Sequence, residues 1–230
     1  MVQRSSDGIT NKYSDSNGCK TLLIKGLYLI TPEDIDDPNI LSDLCHAALS
    51  GGAKIIQFRK LNQSNTEHIE KLGAIVVDAC KYYKAISIIN NDPLLALNLG
   101  ASGCHLGQTD LSLKQARALI GEKLLIGKTC HGSRRLTHEA ILNGADYCAF
   151  GRLFPSFTKT EAPHLSLNRL SNLVDICDKP TVAIGGISLK TLPLVLSSGV
   201  DAIAVSHYIF NSKNIEILTK QFIEEIEKYT

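Results

Sequence analysis

The sequence predicts a single α/β domain folded as a (β/α)8 TIM barrel, and three observations support this prediction. Eight short apolar runs alternate with longer segments of helical periodicity, as expected of a parallel sheet covered by helices. A Gly-Ala or Gly-Val pair recurs just before the second, fourth, sixth and eighth runs. The chain has 230 residues, a length that suits one such barrel.

The eight runs are the predicted strands, and helical segments fill the intervals between them. The strands are predicted at residues 26–30, 54–58, 85–89, 103–106, 124–126, 147–150, 181–184 and 202–205. Over residues 40–48 and 113–120, for example, apolar residues recur at helical spacing, so one face of each helix can pack on the sheet.

The recurring glycines indicate how the predicted helices end. Gly52, Gly100, Gly144 and Gly199 follow helical patterns, where glycine supplies a left-handed turn. Repeated βαβα units with short connections favour a closed barrel over an open doubly wound sheet. No Gly-x-Gly-x-x-Gly follows the first strand, which argues against a dinucleotide-binding sheet.

Composition narrows the class of protein. With 24 basic and 23 acidic residues and no basic stripe, nucleic acid is not an expected partner. No apolar stretch is long enough to cross a membrane. Seven scattered cysteines without a Cys-x-x-Cys pair predict free thiols in a reducing cytoplasm. Residues 1–25 are polar and are interpreted as a disordered extension ahead of a barrel domain at 26–230; a homo-oligomer is compatible with the sequence.

Polar residues cluster at the carboxyl ends of the predicted strands, which is where barrel enzymes place their chemistry. These ends should converge on one mouth. They carry Gln57, Arg59 and Lys60; Asn90, Asn91 and Asp92; His105 and Asp110; Thr129 and His131; Gly185 and Gly186; and Ser206 with His207.

Two segments at this mouth are suited to phosphate. The loop after the sixth strand presents Ser156, Thr158 and Lys159, whose hydroxyls and ammonium donate to anionic oxygens. The double glycine ending at Gly186 lets backbone approach an anion, and the amides at the start of the following helix are predicted to help hold it, together with the end of the eighth strand. Two phosphorylated groups, one more highly charged than the other, are therefore expected to share the mouth.

Several of these residues also have purely structural interpretations. Arg59 with Asp110 is compatible with an ion pair at the barrel rim. Asn90 and Asn91 are suited to capping the next helix, and His105 to a hydrogen-bonded packing role. No Cys, His or Asp spacing specifies zinc, and one carboxylate, Asp110, is a weak signal for a metal.

Taken in order, the residues resemble the thiamine phosphate synthase (thiamine-phosphate pyrophosphorylase) family from Gly26 to about Lys228. The matching motifs are Gly26-Leu-Tyr-Leu-Ile-Thr31, Gln57-x-Arg59, Ile89-Asn90, His105-Leu-Gly-Gln-Thr-Asp110, Ile126-Gly-x-Thr129-x-His131, Phe154-Pro-Ser-x-Thr-Lys159, Ala183-Ile-Gly-Gly-Ile187 and Ala204-Val-Ser206. The resemblance implies condensation of hydroxymethylpyrimidine diphosphate with hydroxyethylthiazole phosphate, through early loss of diphosphate to give a pyrimidine cation and with Mg²⁺ as cofactor.

The resemblance also implies roles for individual residues. Arg59, Lys159 and Thr129 are the expected catalytic residues. The pyrimidine diphosphate would be bound by Gln57, Arg59, Lys60, Asn90, Thr129 and Lys159. The thiazole phosphate would be surrounded by Ser156, Phe157, Thr158, Gly186, Val205 and Ser206. Magnesium would be held by Asn91 and Asp110.

Two departures from the family pattern concern the diphosphate side. Leu61 occupies a position that is usually lysine, with Lys60 one residue early, and Asn91 occupies a position that is usually aspartate. An amide oxygen ligates magnesium without negative charge, so metal affinity should fall unless Asp92 substitutes. Two alternatives therefore stay open: a thiazole tautomerase-like isomerase that uses His131, and a non-catalytic thiazole phosphate-binding paralogue.

Overall fold

Eight parallel strands close into a barrel in a computed structural model that describes residues 24–60, 66–155 and 164–229. The strands are β1 (Gly26–Ile30), β2 (Ile55–Phe58), β3 (Ile86–Asn90), β4 (Gly103–Leu106), β5 (Leu125–His131), β6 (Tyr147–Phe150), β7 (Thr181–Ile184) and β8 (Ala202–Val205). Each strand pairs with its neighbours in chain order, and β1 pairs with β8 to complete the ring. The predicted (β/α)8 architecture is confirmed.

Helices cover the outside of the strands. They are α1 (Pro38–Ser50), α2 (Thr66–Tyr82), α3 (Pro93–Asn98), α4 (Leu113–Ile120), α5 (Arg134–Leu142), α6 (Leu167–Asp175), α7 (Leu192–Leu196), α8 (His207–Phe210) and α9 (Ile215–Glu227). Side-chain acceptors begin several of them: Asp37 accepts from the Asn39 N–H of α1 at 2.8 Å, and Ser112 forms a capping box with Gln115 at α4. Within the described residues, no helix is both long and apolar enough to traverse a membrane.

The turns before the even strands explain the glycine repeat. Gly52, Gly100, Gly144 and Gly199 all have positive φ, at 98°, 62°, 85° and 79°. A side chain at this backbone conformation is strained, so glycine is favoured there. The predicted left-handed turns are confirmed.

The fifth strand is longer than its apolar run predicts. The apolar run predicts a strand that ends at Ile126, whereas β5 continues to His131, with a register shift between Thr129 and His131. Gly127, Lys128 and Thr129 interrupt the apolar pattern, which is why the strand was underestimated. Thr129 therefore lies within the sheet.

Two apolar layers hold the barrel together, one between the strands and the helices and one inside the ring. The inner layer includes Tyr28, Ile55, Ile88 and Tyr147. It also includes Ile24, which is 1% exposed and lies ahead of the domain boundary predicted at residue 26. Residues 1–23 of the predicted extension lie outside the described part of the chain.

Side-chain acceptors tie the odd strands to the even ones at the amino-terminal end of the barrel. Ser102 Oγ accepts from the Ser87 N–H at 3.1 Å, and Asp146 accepts from the Ile126 N–H at 2.6 Å. Asp201 likewise accepts from the Thr181 N–H at 2.8 Å. Each acceptor directly follows a Gly-Ala or Gly-Val pair, so three of the four repeats correspond to a tether.

Candidate active site

A cavity of about 520 Å³ opens where the eight strands end, and every strand contributes to its lining. The predicted site residues found in this lining are Gln57, Arg59, Asn90, Asn91, Asp110, Thr129, Gly186, Val205 and Ser206. The structure thus brings together residues at or just after the ends of β2, β3, β4, β5, β7 and β8, which lie up to 149 positions apart in sequence, from Gln57 to Ser206. Ser156, Phe157, Thr158 and Lys159 fall outside the described residues, as does Leu61.

The loop that leads toward the predicted phosphate segment runs beside β7. The Leu153 N–H donates to the Ile184 carbonyl at 3.1 Å, and the Phe154 N–H donates to the Gly185 carbonyl at 3.0 Å. A Cβ on Gly185 would lie 2.5 Å from Arg152 Cβ, and one on Gly186 would lie 2.3 Å from the Pro155 carbonyl oxygen. The double glycine therefore makes room for this loop at the cavity.

The helix expected after this turn begins later than the phosphate prediction supposes, and phosphate binding itself stays a prediction. The glycine pair does not lead directly into a helix: α7 begins only at Leu192, and the intervening turn is held by a 2.9 Å hydrogen bond from the Ser188 N–H to Thr191 Oγ1. The amides next to Gly186 therefore belong to a turn, whose local hydrogen bonds replace the expected first helical residues.

Arg59 approaches the cavity from the end of β2. Its Nη2 lies 2.6 Å from Glu33 Oε1, and its side chain is 13% exposed. Its backbone N–H donates to Thr31 Oγ1 at 3.0 Å, which fixes the start of the side chain. The ion pair with Asp110 considered from the sequence is not the one that forms, because Glu33 in the preceding loop is the partner.

Lys60 does not join this group. Its ammonium donates to the carbonyls of Glu33 at 2.5 Å and Ile35 at 3.1 Å, and lies 2.8 Å from Asp36 Oδ1. The side chain is 3% exposed, and Lys60 is not among the described residues that line the cavity. In this structure Lys60 fastens the loop of residues 33–36 to β2, and its predicted contact with substrate has no structural support.

Two amides lie side by side at the ends of β2 and β3. Gln57 Nε2 donates to Asn90 Oδ1 at 3.2 Å. The capping interpretation of Asn90 and Asn91 is wrong, because Asp92 caps α3 by accepting from the Leu95 N–H at 2.9 Å. This bond engages one carboxylate oxygen of Asp92, and Asp92 is not among the described residues that line the cavity.

Asp110 is the one carboxylate among the described residues that line the cavity. Its Oδ2 accepts from the Gly107 N–H at 2.6 Å, which holds the loop after β4 in place. Lys128 donates to the Gly107 carbonyl, also at 2.6 Å. Partial burial lowers the pKa of Lys128, and the charge of Asp110 acts in the opposite direction.

The predicted magnesium ligands can be compared with the donors that the cavity offers. Within the described ranges, no three His, Cys, Asp or Glu side chains group together as a metal site. Asp110 retains a second carboxylate oxygen, and Asn91 lines the same cavity. Magnesium is commonly bound through one or two carboxylates plus substrate phosphates and water. These residues therefore fit an ion that arrives with a diphosphate, and not a site built by the protein alone.

Some residues of the cavity were not predicted as site residues. Tyr28, Tyr147 and Arg152 line it, as does Gln108, whose side-chain amide donates to the Thr129 carbonyl. The sequence does not mark the two tyrosines as site residues, because each lies within an apolar strand. Their alternation with outward-facing residues is the signal that would have placed them inside the barrel.

His105 was interpreted as a hydrogen-bonded packing residue, and its ring nitrogens do contact Tyr147 and Thr129. It also lines the cavity, so packing and site are not exclusive alternatives. His131 lines the cavity as well, with φ at 50° next to the register shift of β5.

Sequence comparisons identify relatives over nearly the whole barrel. The family model described as thiamine monophosphate synthase matches residues 27–209. A thiamine-phosphate synthase of Methylobacillus flagellatus is 38% identical over 199 residues, covering 86% of this chain and 94% of the relative. One of Pelagibacter ubique is 41% identical over 196 residues, covering 84% and 93%.

Solved structures agree with these sequence relatives. A thiamine phosphate pyrophosphorylase from Pyrococcus furiosus has a TM-score of 0.81 at 29% identity, covering 89% of this chain and 96% of that one. A geranylgeranylglyceryl phosphate synthase from Thermoplasma acidophilum has a TM-score of 0.66 at 15% identity, covering 89% and 94%. The second likeness shows the fold alone.

Proposed function

The chain belongs to the thiamine monophosphate synthase family, and on that premise we propose that it condenses hydroxymethylpyrimidine diphosphate with hydroxyethylthiazole phosphate. The C–O bond to the diphosphate breaks first, and the diphosphate leaves with the bonding electron pair. The thiazole nitrogen then donates its lone pair to the cationic methylene, forming the C–N bond of thiamine phosphate. No covalent bond to the enzyme is required.

Arg59 is the principal described cation for the leaving diphosphate. Its guanidinium is planar, stays charged and offers several donors to anionic oxygens. The ion pair with Glu33 holds one of its nitrogens, so the group is already oriented before substrate binds. Lys159 is proposed to add a second positive charge, and Thr129 a hydroxyl donor, to the same leaving group.

Magnesium, when bound, would be held by Asp110 and Asn91 together with the diphosphate, and would supply further positive charge to the leaving group. Asp110 and Asn91 both line the cavity, which supports this arrangement. Asn91 contributes an oxygen without charge, so we propose that the ion is retained weakly in the absence of diphosphate.

The two organic rings are proposed to lie between the ends of β2, β3, β7 and β8. The paired amides of Gln57 and Asn90 offer both donors and acceptors to the pyrimidine. Gly186, Val205 and Ser206 line the part of the cavity proposed for the thiazole phosphate. Ser156, Phe157 and Thr158 are proposed to complete that site.

The observation that carries the proposal is the convergence of Arg59, Asn90, Asp110 and Thr129 on one cavity in a chain of this family. Six buried free thiols among the described residues support a reducing, cytoplasmic location. The test is direct: purified protein is incubated with both substrates over a magnesium titration, and thiamine phosphate and diphosphate are quantified. Equal amounts of the two products are expected, and no product at any magnesium concentration would overturn the proposal.

The two alternatives give different outcomes in related assays. A tautomerase would interconvert thiazole tautomers without the pyrimidine substrate, and His131→Ala would abolish this activity. A binding paralogue would bind thiazole phosphate in calorimetry but not pyrimidine diphosphate. The retained Arg59 and Asp110 favour the synthase, because a substrate with one phosphate has less use for them.

A further inference from the structure

A chain of three hydrogen bonds crosses the inside of the barrel and ends at the cavity. The hydroxyls of Tyr28 and Tyr147 are 2.9 Å apart. Tyr147 Oη lies 3.1 Å from His105 Nδ1, and His105 Nε2 lies 2.9 Å from Thr129 Oγ1. Tyr28 and Tyr147 are 2% and 0% exposed, so bulk water does not complete these bonds.

The chain has a direction, because each link needs one donor and one acceptor. Burial raises the pKa of both Tyr28 and Tyr147 above the usual value, so each hydroxyl keeps its single proton. A neutral imidazole has one protonated and one unprotonated ring nitrogen. With a neutral His105, the protons point either from Tyr28 toward Thr129 at every link, or the reverse at every link.

The surroundings of Tyr28 decide between these directions. Its ring lies in the apolar layer inside the barrel, and among the described residues its hydroxyl is hydrogen-bonded to Tyr147. If the protons pointed toward Tyr28, its own proton would have no acceptor among the described residues, which is costly for a residue that is 2% exposed. If they point toward Thr129, all three links are satisfied and the Thr129 proton faces the cavity.

We propose that Tyr147 and His105 are positioning residues that orient the Thr129 hydroxyl as a hydrogen-bond donor to the leaving diphosphate, with Tyr28 as the outermost donor of the chain. His105 is then the neutral tautomer with its proton on Nε2. This inference rests on the proposed function, which places the diphosphate beside Thr129. A donor that is oriented before the C–O bond breaks does not have to reorganise while negative charge develops.

The tautomer can be measured without catalysis. The full-length protein is labelled with ¹⁵N in its histidine rings, and the His105 signals are assigned by their loss in His105→Gln. We expect protonated Nε2 and unprotonated Nδ1 at neutral pH. Tyr147→Phe removes the donor to Nδ1 and should shift His105 toward a mixture of tautomers, whereas Tyr28→Phe should leave the tautomer unchanged.

Kinetics tests whether this orientation acts through Thr129. Tyr147→Phe should lower kcat by about tenfold, the effect of one neutral hydrogen bond, while both KM values stay within about twofold. Thr129→Val should lower kcat at least as far, and the double variant should be no slower than Thr129→Val alone. Tyr83→Phe is the matched control, since its hydroxyl bonds Ser50 on the outer surface at 2.9 Å.

Three results would overturn the inference: a proton on Nδ1 of His105 in the wild type, an unchanged kcat in Tyr147→Phe, or additive losses in the double variant. If Tyr147→Phe fails to fold, the wild-type tautomer still decides the direction of the chain. A wild type that makes no thiamine phosphate would instead refute the proposed function, and the tautomer measurement keeps these two failures apart.

Discussion

The ring of Tyr147 occupies the space in which a side chain at residue 127 would lie. A Cβ built on Gly127 falls 2.0 Å from Tyr147 Cζ and 2.4 Å from its hydroxyl oxygen. Gly127 is on β5 and Tyr147 is its paired residue on β6. The glycine of the Ile126-Gly-x-Thr129 motif is therefore needed so that a tyrosine can fit inside the barrel.

Gly127→Ala should destabilise the protein. The added methyl displaces the Tyr147 ring, and overpacking of this kind costs about 1–3 kcal/mol. Urea denaturation measures the change in the free energy of unfolding. Gly127→Ala with Tyr147→Leu removes the clashing ring atoms, so the double variant should lose less than the two single losses added together. Strict additivity would show that the contact is not the cause.

Arg59→Gln and Lys60→Gln should have opposite phenotypes although the residues are adjacent. Arg59→Gln should lower kcat/KM for the pyrimidine diphosphate by about 100-fold, since a charged donor to the leaving group is lost. Lys60→Gln should lower the melting temperature, because the bonds to Glu33, Ile35 and Asp36 are lost, with kcat/KM within about threefold. Steady-state kinetics and thermal melts on both variants make the comparison. A large decrease of kcat/KM in Lys60→Gln would show that Lys60 contacts the substrate.

Asn91→Asp should lower the magnesium concentration that gives half-maximal rate by about tenfold, since an added charge near the ion is worth on the order of 1 kcal/mol or more. Magnesium titration of the initial rate measures this. Asp92→Asn is the control, because asparagine also caps helices well. It should leave both the stability and the half-saturating concentration unchanged, and a clear rise in the latter would identify Asp92 as a ligand.

Lys159→Ala should lower turnover by about 100-fold or more while the KM for thiazole phosphate changes by less than about threefold. The physical reason is that the ammonium is proposed to face the leaving diphosphate and not the acceptor. Initial rates with each substrate varied in turn separate the two parameters. Ser156→Ala is the contrasting variant and should raise the acceptor KM instead. If Lys159→Ala changed turnover and the KM for thiazole phosphate equally, the placement of Lys159 beside the diphosphate would be refuted.

The stability of the protein should fall as the pH rises above about 9. Burial raises the pKa of Cys80 and of Cys104 to about 12, whereas the same thiols have an ordinary value of 9.0. Between these values the folded state keeps protons that the unfolded state loses, so the free energy of unfolding decreases with pH. Urea denaturation at pH 7.5 and 9.5 measures the decrease.

Thiol labelling provides an independent check of the same burial. In a Cys19→Ser background, the six remaining cysteines are all buried, so a thiol reagent at pH 8 should modify them only after urea is added. Rapid modification of the native protein would contradict this burial.

The barrel was predictable from sequence because its strands and turns leave local signals. β1, β4, β6, β7 and β8 have the predicted bounds, and positive φ at Gly100 and Gly144 matches the predicted turns. The predicted length of β5 was too short, because Gly127 and Thr129 interrupt the apolar pattern by which a strand is recognised.

The sequence predicted which residues line the cavity better than it predicted which side chains they contact. Arg59 and Thr129 were expected at one mouth and are found there. Their partners were not predictable. Glu33, the partner of Arg59, comes from the loop before α1, and His105, the partner of Thr129, comes from β4. No local sequence pattern specifies which of several distant side chains will form such a contact. The orientation of Lys60 was not predictable for the same reason: its ammonium donates to two carbonyls of a neighbouring loop and does not reach the cavity.

The tethers made by Ser102, Asp146 and Asp201 lie at the end of the barrel opposite the cavity. Closure of the ring is thus secured at a distance from the groups that contact substrate. Changes at the tethers should therefore lower the stability of the protein without altering the residues that line the cavity. The same barrel can therefore carry different side chains at its mouth, and so bind different substrates, while the tethers keep it folded.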